Sequence, residues 1–335
     1  LLFRKITNSF PQFRIKRDPE LCINCRGCIN QCSYEAHFWN NARGRLAHDN
    51  SKCIGCLRCA AMCPTGALSI QAESGMSGNP SIFKPEFSFH RERLLLDCGQ
   101  PGSAHGGPGT PTGPSGFFVL GETSRKIFNP NLQKAMEMAA EKLGVVCNPA
   151  QAVKLFPSHN VAEVAVAEVC NGAKQLSLEY SDARIPGMPM ELALACVDKR
   201  LRQEGLRSNV SLIAGGYLRC STDVLKIIAL GADAVNIGEA ALAAVGCTLC
   251  GHCHTGKCPW GIATNDPKLR KRQNPEVGAE QITDLVYRWS REIGEMLVEM
   301  GVDSHKKLCG DRSKLRAVGL SENAMEILEV KHAGQ

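Results

Sequence analysis

The chain has 335 residues, 39 basic against 33 acidic side chains for a formal charge of +6, 18 cysteines and only 5% aromatics. That length allows two or three domains, and charges interrupt the apolar runs well short of the roughly 20 residues of a membrane-spanning helix. With no n-region, h-region and cleavage site at its start, a cytoplasmic protein with reduced thiols is expected, which points the cysteines to metal or catalysis rather than to disulfides.

The first feature along the chain is a doubled cysteine run: Cys22, Cys25, Cys28 and Cys32, then Cys53, Cys56, Cys59 and Cys63, each spaced C-x2-C-x2-C-x3-C, the second followed by Pro64. Three thiolates at this spacing wrap three irons of a cubane, and the fourth ligand comes from the other run. That assigns Cys22, Cys25, Cys28 and Cys63 to one [4Fe-4S] cluster and Cys53, Cys56, Cys59 and Cys32 to a second. Zinc ribbons separate their cysteine pairs by longer spacers. Residues 18–72 resemble a bacterial-type two-[4Fe-4S] ferredoxin domain, with Cys63-Pro64-Thr65-Gly66-Ala67-Leu68 as the exit from the second loop and Ser33 where proline is common. The resemblance implies a small α+β ferredoxin-like domain over residues 1–75 and electron transfer through two clusters.

Residues 76–130 read as linker and loop, since Pro101 to Pro114 is Gly, Pro, Ser and Thr with almost nothing apolar. From residue 131 to 265 helical and strand patterns alternate, as in a parallel sheet covered by helices. Asn131–Lys142, Val161–Cys170, Met190–Arg202 and Thr222–Leu230 have helical spacing, while Val145–Val146, Val153–Leu155, Gln175–Leu178, Val210–Ala214 and Ala234–Ile237 read as short buried strands. The last two strands end in Gly215-Gly216 and in Gly238-Glu239. In a (β/α) barrel the loops at these positions form a phosphate site, for which glycine permits close backbone approach; glycine also ends ordinary strands. Residues 266–335 read as a helical extension whose amphipathic stretch from Pro275 to Met300 packs on the barrel.

A second cysteine constellation follows at once: Cys247, Cys253 and Cys258, spaced C-x5-C-x4-C, with Cys250, His252 and His254 among them. Three thiolates suit a [3Fe-4S] cluster, and spacing alone also allows a four-ligand cubane or a zinc site. The stretch from Glu191 to Leu320 is similar to the C-terminal part of the FMN-binding, iron–sulfur domain of the glutamate synthase family, in its shorter archaeal-type form preceded by a ferredoxin domain. The residues that carry this are Ala214-Gly215-Gly216, Asp223-Val224-Leu225-Lys226, Ala229 to Val235, Cys258-Pro259-Trp260-Gly261-Ile262-Ala263-Thr264, Trp289 to Ile293 and Val318-Gly319-Leu320.

The resemblance implies a TIM-type (β/α) barrel, a [3Fe-4S] cluster on Cys247, Cys253 and Cys258 with Cys250 as a packing thiol, FMN beside Gly215, Gly216, Gly238 and Glu239, and Lys154 as a catalytic lysine near the flavin. The alternative for Lys154 is a solvated strand-end lysine. Three departures stand out: Glu239 where the family has Thr, Ser181 to Gly187 in place of a Gly-Gly-Thr-Gly loop, and a stretch from Cys98 to Ala263 shorter than the about 250 residues of a full barrel. The barrel is therefore expected to be incomplete.

The implied activity is reduction of 2-iminoglutarate, formed from 2-oxoglutarate and ammonia, to L-glutamate, by electrons passed through iron–sulfur clusters to FMN. Ammonia would come from solution or, glutamine-derived, from a separate glutaminase chain, and electrons from a ferredoxin or NAD(P)H-oxidising subunit. The alternative is an electron-transfer subunit whose degenerate barrel is scaffold. No nucleic-acid partner is expected: each oxidised cluster with its thiolates carries about −2, so three offset the basic surplus.

Overall fold

Alternating burial in Phe13–Arg17 (β1) turns Phe13 and Ile15 inward and their neighbours to solvent, the period of a half-buried strand. This strand pairs antiparallel along its whole length with Leu68–Ala72 (β4), Phe13 opposite Ala72 and Arg17 opposite Leu68. Between them lie two short helices, Gly27–Gln31 (α1) and Arg58–Ala61 (α2), and a hairpin of His37–Asn40 (β2) with Arg45–His48 (β3). The backbone follows one path twice. Left-handed residues Asn24, Arg26 and Glu35 recur 31 residues later as Gly55, Leu57 and Gly66. Ile15, Ala36, Leu46 and Leu68 form a small core that Cys28 and Cys59 complete.

This computed structural model describes residues 13–72, 91, 93–97, 116–123, 129–179, 188–216 and 218–335. They fall into two compact units: one holds the elements above together with residues 129–132 and Gly246–Asn274, and the other the described residues within Pro85–Ser124, Gln133–Val245 and Pro275–Gln335.

The second unit is built on a six-stranded sheet of Phe118–Leu120 (β6), Val146–Cys147 (β7), Val153–Leu155 (β8), Gln175–Leu178 (β9), Ser211–Gly215 (β10) and Ala234–Asn236 (β11), in the order β7-β6-β11-β10-β9-β8. Every pair is parallel. Helices Val161–Cys170, Met190–Gln203 and Ser221–Ala229 connect β8 through β11, each with a buried apolar face. The sheet is curled: three strands separate β6 from β8, yet Lys154 Nζ on β8 lies 2.5 Å from Glu122 Oε2 just beyond β6.

The order also locates the break in the barrel. The last strand, β11, pairs with the first, β6, as barrel closure requires, whereas β7 and β8 are the two open edges. Only residues 148–152 join those edges, too few for the dozen or more of a parallel crossover. The architecture is α/β, TIM-like and incomplete, with the gap between the second and third strands of the described sheet.

Leu94–Leu96 (β5), Leu315–Ala317 (β12) and Lys331–His332 (β13) make a separate sheet. Thus the stretch 76–130, read as linker from its composition, carries β5 and β6, two three-residue strands on either side of the Gly- and Pro-rich run that set that reading. Its Gly- and Pro-rich part from Pro101 to Pro114, Cys98 and the loop from Ser181 to Gly187 lie outside the described residues. The 25-residue helix Pro275–Glu299 buries Ile282, Val286, Trp289, Ile293 and Leu297 on one face. Among the described residues no helix is long and apolar enough to cross a membrane.

Candidate functional site

Six of the eight N-terminal cysteines gather at one small core. Cys28 and Cys59 are buried within it, and Cys22, Cys32, Cys53 and Cys63 pack against it. Cys25 is exposed, and no disulfide joins the described cysteines. Backbone N–H groups are aimed at the sulfurs: those of Gly55 and Arg58 meet Cys53 and Cys56, and those of Thr65, Gly66 and Ala67 meet Cys63. Amides arranged this way stabilise thiolate and cluster charge, and the left-handed residues of each loop supply the bend that aims them.

Electrostatics groups the thiols across the two runs. Burial, with Cys53, Cys32 and Cys28 adding, pushes Cys59 up to about 12. Burial likewise pushes Cys56 up to about 12 against the pull of the Arg58 N–H, and Cys250, Cys59 and Cys32 raise it further. Cys53 is raised by burial and by Cys32. Cys32, from the first run, therefore stands among the three leading thiols of the second. Thiols this desolvated hold protons until a metal displaces them, so the donor set, its amides and its enclosure fit an iron–sulfur cluster.

One arginine that spacing could not point out sits beside the first run. Arg17 Nη1 reaches Cys22 Sγ at 3.7 Å and Cys28 Sγ at 3.8 Å, while Nη2 lies 3.2 Å from His37 Nδ1. A guanidinium has only donors, so His37 Nδ1 accepts and its proton stays on Nε2. Burial, then Arg17 and His48, lowers His37 to about 4.

The third cysteine loop belongs to this same unit. Thr248 Oγ1 and Trp260 Nε1 both donate to the carbonyl oxygen of Cys56, at 3.2 and 3.1 Å. Arg272 donates to the carbonyls of Asn30, Gln31 and Pro259, at 2.8, 3.1 and 2.6 Å. Ser33, which replaces the common proline, donates its hydroxyl to the Lys257 carbonyl at 2.7 Å. Arg58 lies over the Trp260 ring, 4.7 Å from its centroid, and donates to Gln31 Oε1 at 2.8 Å. Cys247, Cys253 and Cys258 line one recess together with Cys250, Tyr34 and Trp260.

In the sheet unit, sequence-distant residues meet at the C-terminal ends of the strands. Lys154 Nζ donates to Glu122 Oε2 at 2.5 Å and lies 3.6 Å from Glu179 Oε2. Its hydrogen bond to Glu122 first, and the charges of both acids, hold its ammonium above the usual lysine range although burial opposes this. Asn236, which the sequence did not mark, binds strand ends together: Oδ1 accepts from Gly121 N at 3.1 Å and Gly238 N at 2.9 Å, and Nδ2 donates to the Glu122 carbonyl at 3.0 Å.

A conserved region in glutamate synthase matches residues 133–303, about half of the chain, and a 4Fe-4S dicluster domain matches residues 13–79. The chain belongs to the glutamate synthase family.

Among curated relatives of this family member, the archaeal glutamate synthase [NADPH] of Archaeoglobus fulgidus is 29% identical over 509 aligned residues, covering 98% of each chain. That aligned span exceeds the 335 residues present here, so the relative carries segments without a counterpart. The Methanocaldococcus jannaschii protein of the same name is 54% identical over 193 residues, 55% of this chain and 38% of its own. The archaeal-type glutamate synthase [NADPH] of Dehalococcoides mccartyi is 49% identical over 193 residues, 55% of this chain and 39% of its own.

Two of the four residues marked for FMN have a packing role of their own. A Cβ on Gly215 would come within 2.4 Å of the Asn236 carbonyl oxygen, and one on Gly238 within 2.6 Å of the Gly121 carbonyl oxygen. These two glycines are thus required by the approach of neighbouring strands whether or not a ligand is bound. Glu239, the next residue, is buried at 8% exposure in the first turn of its helix. An acidic side chain in that turn carries charge of the same sign as a phosphate.

Proposed function

We infer that this member of the glutamate synthase family is an iron–sulfur oxidoreductase that serves the reduction of 2-iminoglutarate, formed from 2-oxoglutarate and ammonia, to L-glutamate. The observation that carries the reading is the docking of the Cys247–Cys258 loop onto the Cys56 carbonyl, which joins three sets of thiols within one compact unit. Cys22, Cys25, Cys28 and Cys63 hold one [4Fe-4S] cluster, Cys53, Cys56, Cys59 and Cys32 hold another, and Cys247, Cys253 and Cys258 hold a third. Bound there, the clusters supply one-electron carriage between an external donor and the reaction.

The chain's own residues do the rest. Arg17 faces the first run, while Arg58 and Arg272 are placed close enough to Cys56 and Cys258 for mutual electrostatic influence, so cluster charge meets fixed cations. In the sheet unit Lys154 Nζ keeps its positive charge between Glu122 and Glu179 and would orient a carboxylate of the substrate. Ammonia comes from solution or from a separate glutaminase chain, and electrons from a ferredoxin or NAD(P)H-oxidising subunit.

A second reading, an electron-transfer subunit with a non-catalytic sheet unit, is favoured by buried Glu239 and by the gap between β7 and β8. Denaturing the anaerobically purified protein and assaying released flavin separates the two. One FMN per chain beside a full iron complement upholds the reductase; full iron with no flavin overturns it for the electron-transfer subunit.

A further inference from the structure

Four thiols share the recess in the third cysteine loop, because Cys250 lines it together with Cys247, Cys253 and Cys258. A packing thiol would be expected to sit in apolar surroundings away from these ligands. Instead Cys250 is only partly buried, and its neighbours in sequence are both left-handed, Leu249 at φ 52 and Gly251 at φ 78. A non-glycine residue in that conformation costs about 1–2 kcal/mol. Leu249 keeps it with its side chain buried at 8% exposure, and a 2.8 Å hydrogen bond between His252 Nδ1 and the Cys250 carbonyl braces the turn. The loop is thus bent and braced around Cys250.

Four cysteine ligands serve the four corner irons of a cubane, whereas a three-iron cluster leaves one corner without iron and needs three. The fourth thiol also lies on the side of the neighbouring run, near enough to Cys56 and to Tyr34 to influence both electrostatically.

Resting on the reading that a third cluster occupies this recess, we propose that Cys250 is the ligand to a fourth iron, so that the recess takes a [4Fe-4S] cluster in place of the three-iron cluster implied by C-x5-C-x4-C. Loss of the Cys250 thiol proton to solvent accompanies formation of its Fe–S bond, and ferrous iron joining the reduced three-iron state completes the oxidised cubane with no further electron. No residue outside this loop is needed for the extra bond.

The test compares wild type, Cys250→Ala and Cys247→Ala, purified anaerobically, by electron paramagnetic resonance of the oxidised state and by iron content. Wild type is expected to hold about 12 irons per chain and to lack the sharp signal of an oxidised three-iron cluster. Cys250→Ala should lose about one iron and acquire that signal at about one spin per chain, with the two N-terminal clusters on reduction as its internal control for folding. Wild type already showing the three-iron signal at full intensity overturns the proposal and leaves the third cluster standing. If Cys247→Ala loses no iron relative to wild type, the recess holds no cluster, and the proposal fails together with the reading beneath it.

Discussion

Residues that meet in the cysteine unit are announced by local spacing, whereas residues that meet in the sheet unit come from strand ends far apart in sequence. Cys53, Cys56 and Cys59 share one loop, and their repeat partner lies 31 residues earlier with the same left-handed backbone. Lys154, by contrast, meets Glu122 across the mouth of a curled sheet. The difference is one of what holds each unit together. The first has a small core of a few aliphatic side chains completed by thiols, so bound metal is expected to supply the remainder; the second is closed by apolar helix faces and buried ion pairs.

The largest expected effect tests that dependence. Cys59→Ala removes a buried thiol at the centre of the small core, and should strip one cluster, about 4 irons per chain. Limited proteolysis should then cut within residues 13–72 while the sheet unit stays resistant. Uniform loss of both units would break the contrast.

Asp198→Asn is the converse. Its carboxylate, 2% exposed, accepts from Arg202 Nη2 at 2.6 Å, Arg312 Nη2 at 2.8 Å and Arg207 Nε at 2.8 Å. Losing one partner of a buried ionic network costs about 3–5 kcal/mol, so thermal unfolding of the sheet unit should move down sharply. Iron content and cluster absorbance of the surviving folded protein should remain unchanged.

A smaller effect depends on pH. His37 is lowered from 6.5 to about 4 in the folded state by burial, Arg17 and His48. Below pH 6.5 the unfolded chain takes up a proton that the folded one refuses, so stability is full above that pH and is lost as pH falls through about 4, by on the order of 2–3 kcal/mol. Denaturant midpoints of the cysteine unit should therefore decline between pH 6.5 and 4, and His37→Gln should flatten that decline.

The same contrast explains what the sequence made legible. The eight cysteines of the doubled run were open to proposal from spacing and the three of the third loop from the family resemblance, while the strands from β8 to β11 were readable because their apolar runs alternate with amphipathic helices. Phe118–Leu120, no shorter than β8 or β11, follows the Gly- and Pro-rich stretch whose composition reads as loop. Arg17, Glu122 and Asn236 gave no recognisable motif either, since each has a partner well outside its own turn, as Lys154 is for Glu122 and Gly121 for Asn236. The glycines at 215 and 238 were visible, but their reason was not: a strand neighbour's carbonyl, which only packing shows. The docking of the third cysteine loop onto the cysteine unit was equally unreadable, because its donors are one tryptophan and one threonine.

That docking yields the smallest effect and the most discriminating one. The Cys56 carbonyl oxygen has two lone pairs, and Trp260 Nε1 and Thr248 Oγ1 occupy one each. Trp260→Phe or Thr248→Val alone leaves the carbonyl with one donor and should cost about 1 kcal/mol. Together they leave it with neither, adding the larger penalty of a partly buried acceptor without a partner. The double variant should therefore lose more than the sum of the singles, by about 0.5 kcal/mol or more in a double-mutant cycle on thermal stability. Strict additivity would mean that the two bonds act separately and that the loop is held instead by Arg272 and Ser33.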